Sequence, residues 1–169
     1  MKKSNTVVAC GILAALAGAA NAAIGDPCIT IGGPVTVNVL SSDAGYTSEL
    51  HLSSPGPDLF IATNRDTGLV ASIGTFSAGT ELIFSIFVRD TGQTFYTGDA
   101  SRNPDGLAHA NVTYLGDGVT SVEFEDIFGG GDGDYNDVRF TFTGLIPTPG
   151  SLAVLGFGAM GITRRRRSR

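Results

Sequence analysis

The chain has no Trp, two His, two Cys and no Lys beyond Lys3. Each shortage removes a class of protein. Cys10 falls in an apolar N-terminal stretch, which leaves Cys28 alone in the rest, so no intramolecular disulfide framework can hold the fold. His51 and His109 belong to no zinc-binding motif, and no Gly-x-Ser-x-Gly elbow occurs. Gly129-Gly130-Gly131 leads into an acidic stretch rather than a helix, so it is not a phosphate loop. These gaps argue against an enzyme, and a hydrolase is the weakest alternative. Basic side chains are also scarce in the middle of the chain. All 16 acids lie between Asp26 and Asp137, against Arg65, Arg89, Arg102 and Arg139 only, which leaves that region at −12. A domain so acidic does not seek nucleic acid by electrostatics. It can attract cations, or simply remain soluble.

Most of the positive charges are at the ends. Lys2 and Lys3 precede an apolar stretch from Thr6 to Ala20, and Ala20-Asn21-Ala22 forms a small-x-small site. This is the pattern of a secretory signal peptide over residues 1–22, cleaved after Ala22. At the other end, Pro147-Thr148-Pro149 precedes an apolar segment and the cluster Arg164 to Arg167. The segment is short for a spanning helix, which needs about 20 residues, and the arginines would hold it at the cytoplasmic face. Residues 146–169 resemble the PEP-CTERM sorting signal of Gram-negative envelope proteins, with Thr148 where that family usually has Glu. The resemblance implies processing by an exosortase-type protease, transient inner-membrane association, and release to the cell surface or extracellular matrix. An ordinary membrane tail anchor is the alternative.

Residues 23–145 remain as one domain. Short apolar or alternating runs recur between turn clusters, at 35–40, 59–63, 69–76, 81–89, 94–96, 107–115, 119–125 and 137–143. Gly116-Asp117-Gly118 is a hairpin signal. The last run places Val138, Phe140 and Phe142 inward. About eight strands with Gly-rich turns predict an all-β antiparallel sandwich or jelly roll. It would be flanked by the signal helix and a short hydrophobic C-terminal helix.

Residues 124–138 carry the densest chemistry. Glu125, Asp126, Asp132, Asp134 and Asp137 crowd with Asn136 around Gly129, Gly130, Gly131 and Gly133. Carboxylates this close repel unless something neutralises them. Ca²⁺ takes 6–8 oxygen ligands in a flexible geometry, and alternating Asp132, Asp134 and Asn136 can converge on one ion. Glu125, Asp126 and Asp137 can close the site. Asp137 stands where an EF-hand needs Gly, and Thr143 where it needs Glu, so this is not an EF-hand. With no His or Cys in the loop, Zn²⁺ is not expected. The alternative is a solvated acidic turn. A second loop, residues 98–106, is first of all a β-turn at Asn103-Pro104-Asp105-Gly106; Asp99, Asn103 and Asp105 could add ligands if it folds beside the first.

Asn103-Pro104-Asp105-Gly106 with His109, and Phe124-Glu125-Asp126 followed by Gly-Gly-Asp-x-Asp-Tyr-Asn-Asp, resemble the bacterial domain of unknown function 4114 over residues 84–143. That resemblance implies a β-rich, metal-binding module in adhesin-like or envelope proteins, and no particular activity. Two roles compete. One is a structural or matrix protein of the envelope. The other is a calcium-dependent carbohydrate-binding module on exopolysaccharide or surface glycans, and the absence of Trp leans slightly against it. His109 lies in a strand pattern and reads as structural rather than as a general base.

Overall fold

A computed structural model describes residues 23–147. The expected signal segment with Ala20 and Ala22, and the tail from Thr148 and Pro149 onward, lie outside the described residues. Alternation along the strands decides the architecture. In β3 (Gly33–Val39), Val35, Val37 and Val39 are buried while Pro34 and Thr36 are not. In β11 (Val138–Thr143), Val138, Phe140 and Phe142 are fully buried, as their spacing predicts. A strand that is apolar on one face must bury that face against another layer.

Two antiparallel sheets supply the layers. The first runs in the order β1 (Ala23–Ile24), β9 (Ala110–Gly116), β10 (Val119–Phe124), β11, β3 and β6 (Val70–Phe76). The second runs β12 (Leu145–Pro147), β2 (Cys28–Thr30), β7 (Glu81–Val88), β4 (Ser48–Ser54) and β5 (Leu59–Thr63). Beyond β2, the same edge of β7 pairs with β8 (Gln93–Tyr96). The inner faces meet in a phenylalanine-rich core. Phe84 of β7 stacks on Phe142 of β11 with ring centroids 4.2 Å apart, which ties the sheets together. Each such ring contributes about 1.5–3 kcal/mol by leaving water.

The all-β sandwich matches the fold read from the sequence. Four strands were not anticipated: β1, β2, β4 and β12. Pro147, the first residue of the Pro-Thr-Pro motif, is in register with Cys28 at the end of β12. Among the described residues no helix is long and apolar enough to cross a membrane.

Two connections position the acidic loop. β9 and β10 are joined through Asp117 and Gly118, both at positive φ, the two-residue turn geometry whose twist matches that of the flanking strands. β10 and β11 then pair from Val119↔Thr143 to Phe124↔Val138. The 125–137 connection therefore leaves and re-enters the first sheet at adjacent points.

Candidate metal centre

Glu125 and Asp126 follow directly on β10, and each is 1 % exposed. Consecutive residues leaving a strand face opposite ways. Glu125 turns toward the glycine loop, where its Oε1 accepts the N–H of Tyr135 at 2.6 Å. Asp126 turns toward the second sheet, where its Oδ2 accepts the Ser48 hydroxyl of β4 at 3.1 Å. The two carboxylates therefore serve different neighbourhoods.

Beside Glu125 lie Asp132 and Asp134, and one carboxylate oxygen from each of the three lies within 4.8 Å of the others. Among the described residues this is the group of acids that can hold a metal ion. Local turns set it. Asp132 Oδ1 accepts the N–H of Asp134 at 3.3 Å, and Asp134 Oδ1 accepts the N–H of Asn136 at 3.2 Å. The Asn136 amide also donates to Asp134 Oδ2. Tyr135 sits at φ +54, which turns its N–H back onto Glu125. Gly131 is at φ +55, and any Cβ there would collide with Glu125 Oε2. The left-handed φ favours glycine, and a Cβ here would also have to displace the Glu125 carboxylate.

Glu125 Oε2 itself is buried and has no hydrogen-bond partner, the one such side-chain atom among the described residues. A buried carboxylate oxygen without a partner is costly. Burial raises the Glu125 pKa, against the Tyr135 N–H, and the charges of Asp137, Asp132 and Asp134 raise it further. Asp134 is raised by desolvation and by Asp132 and Asp137, partly offset by the N–H of Asn136. A cation among these groups would reverse each upward shift.

Of the six residues expected to ligate, Glu125, Asp132 and Asp134 come together, and Asn136 is held on Asp134. Asp126 and Asp137 form a neighbouring pair, with Asp137 Oδ2 accepting the N–H of Asp126 at 3.1 Å. Burial, then the Asp137 charge, pushes Asp126 up to about 6.

The second loop does fold beside the first, in a supporting role. Asp105 Oδ2 accepts the N–H of Gly129 and faces His109 Nε2, both at 2.8 Å. His109 is fully buried, stacks on Phe95 at 3.8 Å, and places Nδ1 3.0 Å from the carbonyl oxygen of Glu125. Both ring nitrogens thus face acceptors, and the imidazole ties the two loops together. Burial raises the Asp105 pKa, but the N–H groups of Gly129 and Leu107 and the His109 ring outweigh it and hold the carboxyl at about 2. Asn103, 5 % exposed, pins the turn through Tyr96 and Leu107, and Asp99 caps Ser101. Residue types gave no notice of Tyr135, whose N–H holds Glu125 and whose hydroxyl donates to the Ala108 carbonyl at 2.9 Å.

Residues 61–144 match the family model for a domain of unknown function, DUF4114. The matched segment includes both loops and β6 to β11, and begins earlier than the 84–143 resemblance read from the motifs. Strands β1 to β4 lie before it, so the Asp126–Ser48 contact joins the DUF4114 segment to the part of the sandwich that precedes it. No curated protein matches the chain.

Proposed function

We propose that this chain is an exported module of the bacterial cell envelope or extracellular matrix, structural or adhesive in role, with its 125–137 loop braced by Ca²⁺. One observation carries the metal reading: Glu125 Oε2 is buried without a partner beside two further carboxylates. A solvated acidic turn has no reason to bury an unpaired carboxylate oxygen at its base. Oxygen-only donors favour a hard cation over Zn²⁺. Crowded glycines and side chains on a long loop suit the flexible, many-oxygen shell of Ca²⁺ better than the near-ideal octahedron Mg²⁺ demands. Glu125, Asp132 and Asp134 would hold the ion, and the ion would fix the loop between β10 and β11.

The role is non-catalytic in this reading. Glu125 and Asp126 diverge to separate partners, so they do not flank one scissile bond. Export and sorting rest on the sequence patterns of the two ends, including Pro147-Thr148-Pro149 and an exosortase-type protease as processing partner. The test of the metal reading is calorimetric melting of the protein in chelator and in Ca²⁺. A rise in melting temperature with Ca²⁺ supports it, and indifference to the ion removes it.

A further inference from the structure

The outer face of the second sheet carries a cleft that the metal centre does not use. Its axis is a row across four strands. Phe60 of β5 is in register with His51 of β4, His51 with Ser85 of β7, and Ser85 with Tyr96 of β8. Partners in register share a face, and adjacent strands lie about 4.8 Å apart, so the row spans roughly 14 Å. Phe84 and Ile86, on either side of Ser85, fill the core, which places Ser85 on the opposite face.

The floor is polar and fixed. The pairing of β4 with β7 shifts register between Leu52 and Ser54, and such an irregularity re-aims the residue it carries, Ser53. The Ser53 hydroxyl lies 2.7 Å from that of Ser85, which is only 3 % exposed. Two adjoining hollows of about 420 and 270 Å³ share Ser53 and Tyr96. Arg102 borders the larger, and Phe87 the smaller. Phe60 stands at the far end of the row, half-exposed and edge-on to His51 at 5.6 Å.

The titratable groups around the cleft are paired with one another. His51 Nδ1 is 2.7 Å from Asp58 and Nε2 is 3.1 Å from Glu49. Arg89 also meets Glu49, at 2.6 Å, and Arg102 meets Glu81 at 2.8 Å. The cleft therefore offers hydroxyls, immobilised carboxylates and aromatic surface, but no uncommitted cation for a phosphate or a uronate. The acidity of residues 26–137 works against anions as well. Concave shape, a few fixed polar groups and aromatic walls are the general features of a small-ligand site. With charge excluded, they fit a ligand that has hydroxyls along its edges and apolar C–H faces.

We infer that this cleft binds a short neutral oligosaccharide, laid across the strands from Phe60 to Tyr96. The inference is independent of the metal reading, since no cleft residue belongs to the 125–137 loop. The test is isothermal titration of the full-length protein with cellohexaose, xylohexaose, laminarihexaose and maltohexaose, and with oligogalacturonate, each in Ca²⁺ and in EDTA. The expected result is binding of at least one neutral series in both buffers. Phe60→Ala and Tyr96→Ala should each weaken it about tenfold, and Val70→Ala, at the exposed edge of the first sheet, should leave it unchanged. Phe60 is 51 % exposed, so Phe60→Ala keeps the test decisive should Tyr96→Ala fail to fold. Silence on all neutral series, binding of oligogalacturonate alone, or full affinity in Phe60→Ala would overturn the inference. A melting temperature indifferent to chelator would defeat the metal reading without touching this one.

Discussion

Glu125→Gln separates a metal centre from an acidic turn because its consequences reverse with the ion. In chelator, the wild-type protein buries a carboxylate whose Oε2 has no partner, at a cost of about 1–3 kcal/mol. The nearby Asp132 and Asp134 add repulsion. Gln keeps an oxygen for the Tyr135 N–H and turns a donor toward the two aspartates. The variant should therefore melt at or above the wild type in EDTA. In Ca²⁺ the order should invert. Binding that is specific to the folded state stabilises by about 2.7 kcal/mol at a free ion concentration roughly a hundredfold above Kd. A domain of this size moves by about 3–6 °C per kcal/mol, so the wild type should gain roughly 8–16 °C. An amide oxygen is a poorer ligand than a carboxylate. A tenfold loss of affinity would remove about 1.4 kcal/mol, or some 4–8 °C, from that gain. Scanning calorimetry of both proteins in both buffers measures all four corners. Equal Ca²⁺-dependent shifts in the two proteins would refute the role given to Glu125. A variant that melts far below wild type in EDTA would show that the carboxylate has a partner of its own and needs no ion.

Three further substitutions probe the surroundings. Asp126 is raised from 3.8 to about 6, first by burial and then by Asp137, so its ionised form costs stability above that value, and the cost is relieved as pH falls toward 3.8. Urea titrations in chelator should show about 1 kcal/mol gained between roughly pH 7 and pH 5 in wild type relative to Asp126→Asn. Asp105 is lowered to about 2, so its contribution is present above 3.8 and disappears as pH falls from there toward 2. Asp105→Asn should cost about 3 kcal/mol near neutrality, because it removes the charge facing His109 and its single amide oxygen can serve either His109 and the Gly129 N–H or the Leu107 N–H, not both, and the deficit should shrink in acid. Gly131→Ala forces a left-handed φ on a residue with a Cβ and pushes into Glu125 Oε2. It should cost about 1–2 kcal/mol in chelator and also reduce the Ca²⁺-dependent shift.

The strands that were legible are those in which apolar residues alone carry the alternation. Val35, Val37 and Val39 on β3, and Val138, Phe140 and Phe142 on β11, declare both the strand and its inner face. β4 does not. Its seven residues include only Leu50 and Leu52 as apolar anchors, set among Ser48, Glu49, His51, Ser53 and Ser54. It is nevertheless an interior strand, because β7 and β5 pair with it on both sides and cover backbone groups that its own composition does not advertise. β1, β2 and β12 have two or three residues each, too few for any periodicity, and exist through long-range pairing.

The same omission explains what could be read of the site. The acidic loop was visible as composition, with Glu125 and Asp126 both expected to close one site. What could not be read was the destination of each. Asp126 finds Ser48, which is the first residue of the strand that went unseen. Glu125 finds the N–H of Tyr135 because that residue adopts a positive φ, a conformation uncommon for an aromatic side chain and announced by no residue type. His109 reads as a strand residue from its neighbours. It becomes a positioning group only because the Asp105 turn and the Glu125 carbonyl arrive on its two sides from different parts of the chain. Local pattern therefore locates the carboxylates, while the pairing of distant strands decides which of them can share an ion.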